Sequence, residues 1–187
     1  MTSQATDADT RNFFTKHNFF GLDPFYVQFF VQESMPCLFL DGRIILESKE
    51  KISCAPNGNG GCYRALKVSG MFEHMKKVGV EHVHSYSVDN ILVKVAHPHF
   101  MAFCAKQKVD LGSMCVSKRD PHEKVGVFGR KGEEYWVVEY SEITKEMAER
   151  QNPNTKQLAF NASNIANFYY SRGFLEKCAE IMINSQS

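Results

Sequence analysis

Apolar and polar positions alternate along the chain with two different periods, which predicts helices as well as strands. Residues 9–17 have the spacing of a short amphipathic helix. The aromatic and β-branched stretch FYVQFFVQ (25–32) predicts a strand, and CLFLDGRIIL (37–46) predicts a hairpin. Asp41-Gly42 is the expected turn of this hairpin, because the pair tolerates the positive φ of a tight turn.

A glycine-rich stretch follows and leads into the next predicted helix. APNGNGGCYRAL (55–66) continues with helical spacing as far as Gly79, which suits a C-terminal cap. VEHVHSYSV (80–88) then alternates as a strand and ends at Asp89-Asn90. The predicted order is therefore strand, glycine loop, helix, strand and acidic tip.

The second half of the chain continues this mixture of elements. The predicted elements are a helix at 99–107, a strand at 111–118, a hairpin at 124–142 turning at Lys131-Gly132, an exposed loop at 150–157 and a closing helix at 172–183. Strands interleaved with helices favour an α/β fold with a mostly parallel sheet and helices on both faces. A length of 187 residues predicts a single domain over 1–187.

Composition narrows the expected surroundings of the protein. With 22 basic and 21 acidic residues, the chain shows no charge bias toward nucleic acid or membrane surfaces. The six cysteines form no CxxC pair, which predicts reduced, buried thiols. The polar N-terminal segment and the lack of a long apolar run predict a cytoplasmic protein without membrane contact. The sequence leaves open whether the chain forms a homo-oligomer.

The glycine stretch and the acidic tip are the first candidates for a ligand site. In α/β sheets ligands gather at the carboxyl ends of strands, where both features are expected. Gly58, Gly60 and Gly61 would let a flat or phosphorylated ligand approach the backbone, and the helix start would offer N–H donors. A merely connecting turn is the alternative, because the stretch matches neither GxGxxG nor GxxxxGK[ST]. Asp89 suits either a solvated turn or a Mg²⁺ site that bridges phosphates.

Histidines also alternate on the strand that precedes Asp89. His82 and His84 share one face, and His97 and His99 follow. Because no Cys or Asp partners lie at ligand spacing, we expect surface histidines here rather than a metal site.

Four separated blocks of the sequence carry a family resemblance. APNGNGGCYRAL, VEHVHSYSVDNILVKVAHPHF, VVEYSEI and FNASNIANFYYSRGFL occur in this order. Together they resemble the eukaryotic UDP-N-acetylhexosamine pyrophosphorylases, and the similarity extends over essentially the whole chain. The resemblance implies a Rossmann-like fold of the nucleotide-diphospho-sugar transferase type, here incomplete at both ends.

The resemblance also implies which residues bind substrate. Those matching the family's uridine site are Gln32, Cys54, Ala55, Pro56 and Gly58, and those matching its N-acetylhexosamine site are Asn59, Gly126, Glu139 and Asn164. Asp89 matches the position beside the phosphates and the metal, as the catalytic, metal-binding carboxylate, and Ser87 is a further substrate-binding candidate. Carboxylates and amides suit a sugar that carries hydroxyl and acetamido groups.

The implied reaction joins UTP and N-acetylglucosamine-1-phosphate. The sugar phosphate oxygen attacks the α-phosphorus in line, pyrophosphate leaves, and Mg²⁺ or Mn²⁺ on Asp89 neutralises phosphate charge. The partners implied are thus UTP and an N-acetylhexosamine-1-phosphate.

The sequence departs from the family pattern at three points. The glycine-rich G-G-x-G-T-R-L-G loop that clamps the triphosphate in the family does not occur here, so we expect the chain to be the middle of a larger enzyme. Ser163 stands where the family usually has glycine, and His97 where aspartate is usual. Two alternatives stay open: a UTP–glucose-1-phosphate or UDP-sugar uridylyltransferase, and an inactive chain that only binds UDP-sugar.

Overall fold

The computed structural model of the chain describes residues 1–185, and residue contacts divide it into two units. The first unit contains residues 1–81 and the chain from Leu175 onward, and the second contains residues 82–174. Within residues 1–185, no helix combines the length and the apolar character that crossing a membrane requires.

Helices and short β-ribbons make up the first unit. Its elements are α1 Asp7–Lys16, the 3-10 turns Asn18–Gly21 and Pro24–Tyr26, β1 Ser34–Pro36, β2 Leu46–Ser48, β3 Lys51–Ile52, β4 Cys54–Pro56, α2 Gly61–Val68 and α3 Met71–Lys77. β1 pairs with β4 and β2 pairs with β3, both antiparallel. The ribbons bring chain segments that precede and follow the predicted hairpin side by side.

An antiparallel sheet forms the centre of the second unit. Its elements are β5 His82–Tyr86, α4 Pro98–Lys106, β6 Leu111–Ser117, β7 Val127–Lys131, β8 Glu134–Val138, α5 Lys145–Glu149 and β9 Ala162–Ser171, after which α6 Arg172–Ser185 follows. β9 pairs with β5, β6 and β7, and β7 pairs with β8. β9 is therefore the strand that holds the other strands in place, and its Tyr169 is almost fully buried.

Most local predictions are confirmed, including the helices near 9–17, 99–107 and 172–183 and the strands near 80–88 and 111–118. The hairpin at 37–46 forms, but its turn is centred one residue earlier than predicted. Gly42 has φ +86° and donates its N–H to the carbonyl of Phe39 at 2.9 Å.

The strand predicted at 25–32 is wrong. Asp23 accepts the N–H of Phe25 at 2.9 Å and Pro24 occupies the first helical position, so the segment begins as a 3-10 turn. Val31 then forms one parallel bridge with Thr2. Local capping thus overrides the strand propensity of the aromatic residues.

The prediction of a mostly parallel sheet is also wrong, although the mixed α/β class is confirmed. Between named strands of residues 1–185 every pairing is antiparallel. The prediction assumed that helices cross over between neighbouring parallel strands. Instead β9, the last strand in the sequence, lies in the sheet beside strands that run the opposite way. The extent of the catalytic domain stays a prediction.

Two smaller corrections concern a helix and the thiols. Gly70 has φ +73° and separates α2 from α3, where a continuous helix was expected. None of the six cysteines forms a disulfide, as predicted, but only Cys104 is fully buried, and Cys54 and Cys115 on strands β4 and β6 are exposed.

Asp7 secures the start of α1 and gives a pH prediction. Its carboxylate accepts the Arg11 Nε–H at 2.7 Å and the Thr2 hydroxyl at 2.6 Å, and these bonds lower the pKa of the carboxyl. Their stabilisation is present above the ordinary pKa of about 3.9 and is lost as pH falls through the lowered value. We expect the melting temperature of Asp7→Asn, measured by circular dichroism, to fall less at acidic pH than that of the wild type. Asp9→Asn is the control, and an Asp7→Asn profile parallel to wild type would contradict the assignment.

Candidate functional site

The β1–β4 ribbon positions the predicted uridine loop. Cys54–Pro56 form β4, and beyond it the N–H of Asn57 donates to the carbonyl of Glu33 at 3.0 Å. Gln32 is the next residue toward the N-terminus, so it lies at the end of the ribbon from which the loop leaves. Arg64 on α2 binds the Glu33 carboxylate at 2.6 Å, which ties the helix to the same end.

The glycine loop is exposed and open on its outer side. Gly58 has φ +65°, a backbone conformation that residues with a side chain rarely adopt. A Cβ at Gly60 would meet nothing within 4 Å. The expectation of free N–H groups at the helix start is wrong for two residues. The N–H of Gly61 donates to Gly58 and that of Cys62 donates to Asn59, both at 3.2 Å. The turn itself uses these two donors, and what remains open is the surface of the loop.

The side chain of Gln32 has a polar atom, Oε1, whose hydrogen-bonding capacity the described residues leave unused. Its side-chain oxygen is buried and has no hydrogen-bond partner among the described residues. Buried polar atoms are nearly always paired, so an unpaired one at a predicted nucleoside site marks a position where a ligand donor fits.

Three predicted sugar-site residues lie together in the second unit. Gly126 is buried, and a Cβ there would lie 3.1 Å from Glu139 Oε1 and 3.2 Å from its Oε2. The carbonyl of Gly126 accepts the N–H of Asn164 at 2.8 Å. Glycine at 126 therefore leaves room for the Glu139 carboxylate, which is exposed and directly adjacent. We call these three residues the sugar-site cluster.

A bulge in β9 shapes this cluster. Phe168 pairs with Ser113 and Asn164 pairs with Cys115, so β9 uses more residues than β6 between the two pairs. Ala166, inside the bulge, has φ +51°, and its N–H donates to Asn164 Oδ1 at 3.1 Å. Because that oxygen is engaged, the side-chain amino group is the part of Asn164 suited to donate to a ligand. Bulges with strained residues are common beside functional sites.

Strand register brings Asp89 to the same edge of β9. β5 ends with Tyr86 opposite Asn167, and β7 begins with Val127 opposite Ser163. The bulge lies between these two pairs, so the segment carrying Ser87 and Asp89 leaves the sheet beside the cluster. The sheet order thus places an acidic tip at the gap between two strands.

Asp89 is exposed, and it remains a single carboxylate rather than part of a ready-made metal site. Among residues 1–185 no group of three or more His, Cys, Asp or Glu side chains could hold a metal ion. The glycine loop belongs to the first unit and Asp89 to the second, so their approach to one ligand stays a prediction.

His84 has a structural role that the sequence did not indicate. Its Nδ1 accepts the N–H of Ala96 at 3.0 Å, and its Nε2–H therefore donates to Asn167 Oδ1 at 2.8 Å. His82 in turn bonds the hydroxyl of Tyr169 at 2.8 Å. Both histidines belong to hydrogen-bonded structure, and His84 fastens the end of the segment that carries Asp89. The alternation of the strand was the only sequence signal for these contacts.

Comparisons with known proteins agree with the resemblance. A human UDP-N-acetylhexosamine pyrophosphorylase-like protein 1 is 47% identical over 176 residues, which are 94% of this chain and 34% of that protein. An Arabidopsis thaliana UDP-N-acetylglucosamine diphosphorylase 2 is 41% identical over 96% of this chain and 36% of its own length. The chain therefore spans about a third of the length of these relatives.

A solved structure shows the same architecture. The Trypanosoma brucei uridine diphosphate N-acetylglucosamine pyrophosphorylase, crystallised with an inhibitor, superposes with a TM-score of 0.88 at 36% identity. The match covers 95% of this chain and 36% of that one. The family model described as UTP–glucose-1-phosphate uridylyltransferase matches residues 1–182. With nearly every residue of the chain inside that match, the protein belongs to the UTP–glucose-1-phosphate uridylyltransferase family.

Proposed function

We propose that this chain is the nucleotide- and sugar-binding core of a uridylyltransferase that makes UDP-N-acetylglucosamine and pyrophosphate from UTP and N-acetylglucosamine-1-phosphate. The sugar-site cluster carries the proposal, because it places a carboxylate acceptor and an amide donor side by side at one sheet edge. A sugar with hydroxyl and acetamido groups needs this combination of acceptors and donors. The names of the relatives are consistent with the same substrates.

Each candidate residue has a specific role in this proposal. Glu139 accepts hydrogen bonds from sugar hydroxyls, and the amino group of Asn164 donates to the sugar. The unpaired oxygen of Gln32 accepts from the N3–H of uracil, and the open face at Gly58 and Asn59 lets the nucleoside approach the main chain. No nucleophilic side chain is needed, because phosphoryl transfer depends on positioning and on charge neutralisation.

The donor set fits a divalent cation that also binds the substrate. Mg²⁺ is usually held by one or two carboxylates together with substrate phosphates, so a lone exposed Asp89 is an adequate protein ligand. Mg²⁺ or Mn²⁺ bound there would neutralise phosphate charge as pyrophosphate departs.

The proposal includes a Rossmann-like architecture of the nucleotide-diphospho-sugar transferase type and a cytoplasmic location. The mixture of helices and strands along the chain supports the first. None of the six cysteines forms a disulfide, which is consistent with a reducing compartment and supports the second.

Binding calorimetry tests the proposed sugar. We expect UDP-N-acetylglucosamine to bind at least about tenfold more tightly than UDP-glucose, since one good hydrogen bond to the acetamido group has that effect. The opposite preference would favour a UTP–glucose-1-phosphate uridylyltransferase, the activity that the matching family model names. Binding without pyrophosphate exchange would favour a chain that only binds UDP-sugar.

A further inference from the structure

A largely buried lysine follows β6 and forms no ion pair within 4 Å among the described residues. Lys118 is only 4% exposed, and no salt bridge among the described residues includes it. The backbone N–H of Lys118 donates to the carbonyl of Asn161 at 2.7 Å, which fixes the residue at the end of the β6–β9 pairing. A charged side chain with so little contact with water is stabilised by nearby negative charge, so the position favours an anion.

The two acidic side chains closest in sequence are already engaged. Asp120 accepts the backbone N–H of His122 at 2.7 Å. Glu123 accepts the backbone N–H groups of Arg119 at 3.0 Å and Asp120 at 2.9 Å. Its carboxylate closes the turn after Lys118. These backbone bonds, and to a smaller extent the charge of Lys118, lower the pKa of Glu123, but the two side chains form no ion pair within 4 Å.

Lys118 lines a polar cavity of about 720 Å³ within the second unit. Arg119 and Lys156 line it as well, and Glu149 is the acidic residue in the lining, with Lys145 lying 3.9 Å from its carboxylate. The lining thus has an excess of positive charge. Its volume lies in the range of small-molecule sites, and the remaining polar lining residues include Gln151, Gln157 and Asn161.

We propose that this cavity binds the phosphate group of a small phosphorylated molecule, with Lys118 as the central ionic contact. Arg119 and Lys156 add charge at the rim, and the neutral amides suit the organic part of the ligand. None of these residues belongs to the sugar-site cluster, so the proposal stands independently of the proposed reaction.

Titration with inorganic phosphate tests the site in the 187-residue chain. Lys118→Met keeps an unbranched side chain that is one heavy atom shorter and removes the charge, and we expect it to weaken phosphate binding about tenfold or more. Lys124→Met is the matched control, because Lys124 is exposed and does not line the cavity. UMP and N-acetylglucosamine-1-phosphate are titrated in parallel, and the one that depends most on Lys118 identifies the organic part.

The melting temperature in phosphate-free buffer distinguishes a binding role from a structural one. We expect Lys118→Met to melt at or above the wild-type temperature, since it removes a largely buried charge that forms no ion pair. Wild-type chain that does not bind phosphate, phosphate binding that survives the substitution, or a lower melting temperature of Lys118→Met would each overturn the proposal.

Discussion

Glu139→Gln is expected to weaken binding of UDP-N-acetylglucosamine by about 10- to 100-fold. The substitution keeps the shape of the side chain and replaces a charged acceptor by a neutral one, and hydrogen bonds to charged groups contribute about 1.5–3 kcal/mol. Isothermal calorimetry gives the affinity, and circular dichroism checks the fold. Glu142→Gln, on an exposed residue three positions away, is the matched control. Equal affinities of Glu139→Gln and wild type would show that the carboxylate does not contact the sugar.

Gly126→Ala should act on the same carboxylate without removing it. The added Cβ would lie 3.1 Å from Glu139 Oε1, so the carboxylate must shift and the sugar affinity falls in the same direction. Gly129→Ala is a suitable control, because its Cβ would make ordinary contact with Phe160 at 3.6 Å. The two variants together separate the position of the carboxylate from its charge.

Local sequence features predicted the elements whose signals are local. α4 begins at Pro98, where proline suits the first helical position, and β6 occupies Leu111–Ser117 within the predicted range. The 25–32 segment was mispredicted because Asp23 and Pro24 impose a turn before strand propensity can act. The turn of the second hairpin was placed one residue early, since Gly132 and Glu133 lie between the paired Lys131 and Glu134.

Pairing between distant segments was beyond local reasoning. β9 lies about 75 residues after β5 in the sequence and pairs with it antiparallel. The asparagines of β9 are Asn164, at the bulge, and Asn167, which bonds His84. Hydrogen bonding of these side chains, rather than propensity, determines where the strand bends.

The candidate site shows the same difference between what local sequence predicts and what tertiary structure adds. The family resemblance identified Gly126, Glu139 and Asn164 separately, and the structure adds that they are neighbours. Lys118 gave no signal, because a lysine after a strand is ordinarily solvated and its burial depends on residues more than 30 positions away. Burial and cavities arise from tertiary structure, so such sites become visible only in coordinates.

Phe72→Ala is expected to lower the free energy of unfolding of the first unit by about 3–5 kcal/mol. Phe72 is completely buried, and removal of a buried aromatic ring leaves a cavity as well as losing hydrophobic transfer energy. α3 has only seven residues, so its helicity depends on packing and not on its own propensity. α2 packs beside α3 and begins directly after the glycine loop, and we therefore expect loss of order in both helices to weaken UDP binding.

Chemical denaturation measures the stability, and hydrogen exchange of α2 and α3 amides locates the change. Phe103→Ala is the control, because Phe103 is 63% exposed and its truncation should change stability by about 0.5 kcal/mol or less. Similar losses in the two variants would contradict the assignment of Phe72 to the core.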